Sequence, residues 1–346
     1  MMDGGGFPEQ YAARLAAAGA GGRAGADRRL AAFFVELMPG AEAAFVFADP
    51  VAAAGAVLDL VEHASHVILA GDPLAPTARY FETIRGRTSG HRFSRVDLSD
   101  PAALAPALTD DSRLLWLESE LPPAWRQPDI AALAAVAGPR EVRLAVDNRA
   151  VGLDRFNPFT AGADLVIEAA PGGLAVVLTA DRPELMFSRD RLRYFRDHGV
   201  GAAGEDAALA AFAALADWPA RRAAAAAAAA GLVAALVDHP AVAGVDYPGQ
   251  AGHPDHAAMA AAGRRSAATL TVTLSGGGPA ATAVQARLAG AADLAAEVTY
   301  PAGALPQVPA PIRAELGLAE GALRVIAGAG PAEDLVAAFR AALADL

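Results

Sequence analysis

Lysine is absent from this chain of 346 residues, and all 28 basic side chains are arginine. No side-chain amine is available to hold a carbonyl cofactor as a Schiff base. Cysteine is absent too, which excludes disulfides, thiolate metal sites and a cysteine nucleophile. Positive charge is sparse: the net charge is −11 and the pI is near 5.1. A nucleic-acid binder would carry a basic stripe. The nearest run, Arg189, Arg191, Arg193 and Arg196, is broken by Asp190 and Asp197 and reads as a solvated helix face or a subunit contact. The longest apolar stretch, Ala223–Val237, lies between Arg221–Arg222 and Asp238 and is too short to span a membrane. The opening MMDGGGFPEQ lacks the positive start and apolar core of a signal peptide. These absences predict a cytoplasmic protein with no nucleic-acid or membrane partner.

Apolar residues make up 54% of the chain, ample for a buried core, and alanine favours helix throughout. Residues 1–30 are Gly/Ala-rich at the start and read as an N-terminal arm, mobile or poorly helical. A helical pattern runs from Asp27 to Met38 and stops at Pro39-Gly40. Strand and helix signals then alternate. The strands read AAFVFAD, HVILAGD, HRFSRVDLSD, SRLLWLES, EVRLAVDN, ADLVIEA and LAVVLTA. Short apolar strands separated by helices imply βαβ units on a mostly parallel sheet. Ligands on such sheets sit beyond the carboxyl ends of the strands. Here those ends carry Asp49, Asp72, Glu118 and Asp147–Asn148. Residues 31–220 therefore read as a large α/β domain, and 221–346 as a smaller α+β domain with no internal repeat.

Several segments resemble the Cys/Met-metabolism family of pyridoxal-phosphate (PLP) enzymes, the cystathionine γ-synthase group. LLWLES, PDIAALAAVAG and RLAVDN match its strand, helix and cofactor aspartate, and GADLVIEA its next strand. DHPAVAGVDYPGQAGHPDHAAM is similar to its linker into the small domain. PAPIRAELGLAEGALRVIAGAGPAEDLVAAFRAAL is similar to its C-terminal end. The resemblance covers residues 35–346 and implies the fold-type I PLP-transferase architecture.

The family's functional residues carry over unevenly. Asp147 matches the aspartate that faces the pyridine nitrogen and makes the ring an electron sink. Arg324 matches the arginine that binds the substrate carboxylate as a fork. The lysine position falls at Gly172, within a connection that has lost a loop. The Ser-Gly-Met phosphate loop falls at Asp49-Pro50-Val51, where an acid repels phosphate and proline has no N–H. The stacking aromatic falls at Leu74, and the family's Thr-Asn-Pro at Leu121-Pro122-Pro123. The N-terminal Tyr/Arg pair that reaches the neighbouring subunit has no equivalent.

The expectation is a degenerate member with no bound cofactor; non-covalent PLP is the alternative. It would be a pseudoenzyme working as dimer partner, scaffold or ligand-binding module. Its partners would be itself, as dimer or tetramer, or a lysine-bearing paralogue, with a small carboxylated ligand on Arg324. The competing reading is a PLP-independent enzyme using Asp147, Glu118 or Asp49 as acid/base groups. His253-x-x-His256 with Asp255 lacks a third ligand, so no metal site is expected.

Overall fold

The structure, a computed structural model, describes residues 6–291, 294–306, 308–344 and 346. Its contacts divide the chain into two compact units, residues 1–119 with 128–219 and residues 120–127 with 220–346.

The first unit is built on seven strands: β1 (Ala41–Phe47), β2 (His66–Ala70), β3 (Arg92–Arg95), β4 (Ser112–Glu118), β5 (Arg143–Asp147), β6 (Leu165–Ala170) and β7 (Leu174–Ala180). Their order across the sheet is β1-β7-β6-β5-β4-β2-β3. Strands β3, β2, β4, β5 and β6 run parallel, and β7 runs antiparallel to both β6 and β1. Every residue of β2 and β7 is buried. That is the signature of a sheet covered on both faces, and it explains why these strands read as unbroken apolar runs.

Phe45, Phe47, Val67, Leu69, Leu114, Trp116, Ile167 and Val177 form one layer of the core with the helix Pro50–Leu58 and Phe81. Phe81 meets Trp116 edge-on at 5.1 Å and stacks on Phe93 at 5.8 Å. Full burial of rings such as Phe81 and Trp116 contributes about 1.5–3 kcal/mol each.

From Gly6 the expected arm is ordered: Gly6–Gly19 is a helix, and Ala26–Leu37 is another. Tyr11 packs edge-on against Phe33 at 5.4 Å, and its hydroxyl donates to the Leu215 carbonyl at 2.8 Å. Weak amphipathicity hid this helix from the sequence; one aromatic with a hydrogen bond anchors it. Residues 1–5 of the expected arm lie outside the described residues.

The second unit holds an antiparallel sheet, β10-β11-β9-β8, made of β8 (Val242–Asp246), β9 (Thr269–Leu274), β10 (Ala296–Thr299) and β11 (Ala322–Ala327). β8 and β10 are short, half-exposed edge strands with little apolar patterning. The helices Gly277–Ala289 and Ala332–Leu343 bury Val284, Leu288, Leu335 and Phe339. Residues 120–127 belong to this unit for a local reason. Trp125 Nε1 donates to Thr271 Oγ1 at 3.0 Å, and Thr269 Oγ1 donates to Glu120 Oε2 at 2.7 Å. Arg126 grips Asp255 with two bonds of 2.8 and 3.0 Å.

Candidate functional site

The carboxyl ends of β2, β4 and β5 gather three of the carboxylates expected at the strand ends. Glu118 and Asp147 are directly paired in the parallel β4–β5 register, so their side chains leave the same face side by side. Asp72 follows β2, and its backbone N–H donates to Glu118 Oε1 at 3.0 Å. Gly71 makes this approach feasible: a Cβ there would lie 2.5 Å from Glu118 Cδ. Burial pushes the Glu118 carboxyl up to about 8, with Asp147 and Asp72 adding repulsion. At neutral pH Glu118 is therefore largely protonated, a proton donor beside a carboxylate.

Asp147 is buried at 4% exposure. Its partner is Arg149, which sequence reasoning missed. Arg149 Nε donates to Oδ1 at 2.8 Å and Nη2 donates to Oδ2 at 2.6 Å. The Asp-Asn-Arg spacing at a strand end was the signal that could have found it. Between them, Asn148 is fixed by its Nδ2 donating to Glu168 Oε1 at 2.6 Å and to the Phe156 carbonyl at 3.1 Å.

Asp49 does not join this cluster. It follows β1, which β7 and β6 separate from β5, about 14 Å across the sheet at the usual strand spacing. There it caps the helix Pro50–Leu58: one oxygen, Oδ1, accepts from the N–H groups of Val51 and Ala52, both at 2.8 Å. The amides that would meet an anion at this helix start are satisfied by the chain's own carboxylate.

The connection from β6 to β7 is a three-residue turn, Pro171–Gly173, with Ala170 paired to Leu174. Gly172 and Gly173 both sit at φ +79°, the left-handed region that glycine tolerates. In the second unit Arg324 lies mid-strand on β11, paired with Thr271 and Thr299, at 6% exposure. The His253–His256 segment is held structurally: His253 Nε2 lies 2.7 Å from the Ala124 carbonyl, and Asp255 serves Arg126.

A seven-stranded, mostly parallel sheet with an acidic strand-end site, and a separate small antiparallel sheet, define an α/β protein of the fold-type I PLP class. The sequence profile of the Cys/Met metabolism PLP-dependent enzymes matches residues 28–344, and the chain belongs to that family. Similar proteins include a cystathionine beta-lyase of Coxiella burnetii, 28% identical over 61% of this chain and 56% of that protein. A probable cystathionine gamma-synthase of Herpetosiphon aurantiacus is 27% identical over 70% of this chain and 77% of its own length. A cystathionine gamma-lyase of Bacillus subtilis is 27% identical over 66% of this chain and 60% of that protein. The chain thus spans from just over half to three quarters of these relatives' lengths.

This membership corrects the expectation that no cofactor is involved: the family is PLP-dependent, and PLP is the cofactor to expect. The reading failed because it treated lost contacts as a lost ligand. The residues fit that cofactor only in part. Asp147 stands at the end of β5, where the family resemblance expects the carboxylate that faces the ring, but the chain has no lysine, and the Val51 and Ala52 amides are taken by Asp49. For a PLP held through a side-chain bond these residues do not fit. Among the described residues no helix is long and apolar enough to cross a membrane.

Proposed function

We propose that this chain is a family member without covalent PLP chemistry of its own, acting as a subunit that assembles with itself or with a lysine-bearing paralogue. The observation that supports this reading is the three-residue β6–β7 turn, Pro171–Gly173, a short connection at the point where the family resemblance expects a lysine-bearing loop. The chain has no lysine anywhere. Assembly is supported by the helix Met186–Asp197, which exposes Met186 at 51%, Phe187 at 74% and Tyr194 at 56%. Phe187 and Tyr194 line a groove of about 1120 Å³ together with Leu60, Leu144 and Arg182. Large apolar side chains exposed on one helix beside a groove are a surface that a partner chain can cover.

The test is to incubate the purified chain with PLP, reduce with borohydride, and weigh the intact protein and its peptides. No phosphopyridoxyl mass should appear on any side chain, and mixing with a lysine-bearing family member should give a mixed assembly by native mass. A stoichiometric adduct on a side chain refutes the proposal. So does a chain that stays monomeric both alone and in the mixture.

A further inference from the structure

Most of the accepting capacity of Asp147 is already taken by its own chain. Arg149 supplies three: Nε at 2.8 Å and the backbone N–H at 3.3 Å to Oδ1, and Nη2 at 2.6 Å to Oδ2. A carboxylate offers about four lone-pair sites, so one is left. We propose that Arg149 is an internal competitor for Asp147 and sets how strongly, and in which protonation state, this site takes a pyridoxal-type ring.

The competition is electrostatic. A protonated ring nitrogen arriving at Asp147 would be a second cation on a carboxylate that already holds a guanidinium. Two like charges at hydrogen-bond spacing repel, and the repulsion is strong where water is excluded. A neutral ring nitrogen has no proton to donate and gains nothing from Asp147. The ring must either displace Arg149 or stay unprotonated, and an unprotonated ring is a weaker electron sink.

Displacement is costly for a structural reason. The pair is bidentate and charge-assisted, and Asp147 is buried. The backbone that carries Arg149 is anchored on both sides of the turn. Asn148 N donates to the Ile167 carbonyl at 2.8 Å, and Gly152 N donates to the Asn148 carbonyl at 2.6 Å. The guanidinium therefore returns to the same carboxylate. Its side chain keeps 26% exposure, so it can leave toward solvent once its partner is taken. Lysine could not replace it, because the planar fork provides the two parallel bonds. This inference rests on family membership and on the Arg149 geometry, not on the non-catalytic reading.

The experiment titrates the full chain with pyridoxamine 5′-phosphate, which carries the ring and phosphate, needs no lysine, and is followed by its fluorescence. Arg149→Ala and Arg149→Gln should bind it at least ten-fold more tightly than wild type, about 1.4 kcal/mol. The absorbance of the bound ring should move toward the protonated form in both variants. In an Asp147→Asn background the Arg149 substitutions should change nothing, which isolates the pair as the cause. Circular dichroism and melting curves check that each variant is folded. Arg149→Gln serves if removal of the whole side chain leaves Asp147 too poorly paired. Unchanged or weaker affinity in a folded variant overturns the inference. So does an equal gain in the Asp147→Asn background, or no binding by any variant. The borohydride and mixing results are independent of these, so either proposal can fail alone.

Discussion

Replacing Glu118 by glutamine should stabilise the protein, and by an amount that grows with pH. The Glu118 carboxyl ordinarily titrates near 4.5 and is pushed up to about 8 by burial, Asp147 and Asp72. Between those values the folded chain holds a proton that the unfolded chain has released. Stability must then fall as pH rises through the window, and level off above it. The window is about 3.5 pH units, which at about 1.36 kcal/mol per unit sets a ceiling of about 4.8 kcal/mol. Glu118 is only partly shielded from water, so roughly half of this, about 2 kcal/mol, is the working figure. Glutamine is neutral throughout, has nearly the same shape, and still accepts from the Asp72 N–H. Urea unfolding of both proteins at about pH 5, 7 and 9 reads the effect. The curves should nearly coincide at the lowest pH and diverge upward. Parallel curves, or a variant less stable than wild type at high pH, would refute a protonated Glu118.

Gly71→Ala would place a methyl 2.5 Å from Glu118 Cδ. It should cost about 1–3 kcal/mol, drive Glu118 toward water and flatten the pH dependence just described; a variant with wild-type stability and wild-type pH dependence would show that the glycine is not what admits Glu118. Asp49→Ala removes the acceptor of the Val51 and Ala52 amides and should cost about 1 kcal/mol, while Asp49→Asn keeps most of it. Equal urea midpoints for the alanine and asparagine variants would refute the capping role.

Much of the architecture was legible from local pattern. The unbroken apolar runs of β2 and β7 announce strands buried on both faces, and the Pro39-Gly40 break ends the second helix close to where the pattern stops. The strand ends also placed Glu118, Asp147 and Asp72 on one edge, because parallel βαβ order dictates where carboxyl ends lie. Short edge strands were not legible: β8 and β10 have little apolar patterning and exist because β9 and β11 offer them hydrogen bonds. Residues 120–127 likewise join the second unit only through Trp125, Glu120 and Arg126 finding distant partners.

The sequence by itself determined the fold class, the family resemblance and the lack of any lysine, because composition and periodicity are properties of the chain alone. It could not assign charge states. Glu118 and Asp147 look alike as letters at strand ends, yet one holds its proton to about pH 8 and the other is locked to Arg149. That difference comes from desolvation and from which groups the folded sheet brings within hydrogen-bond reach. Only the tertiary structure decides those.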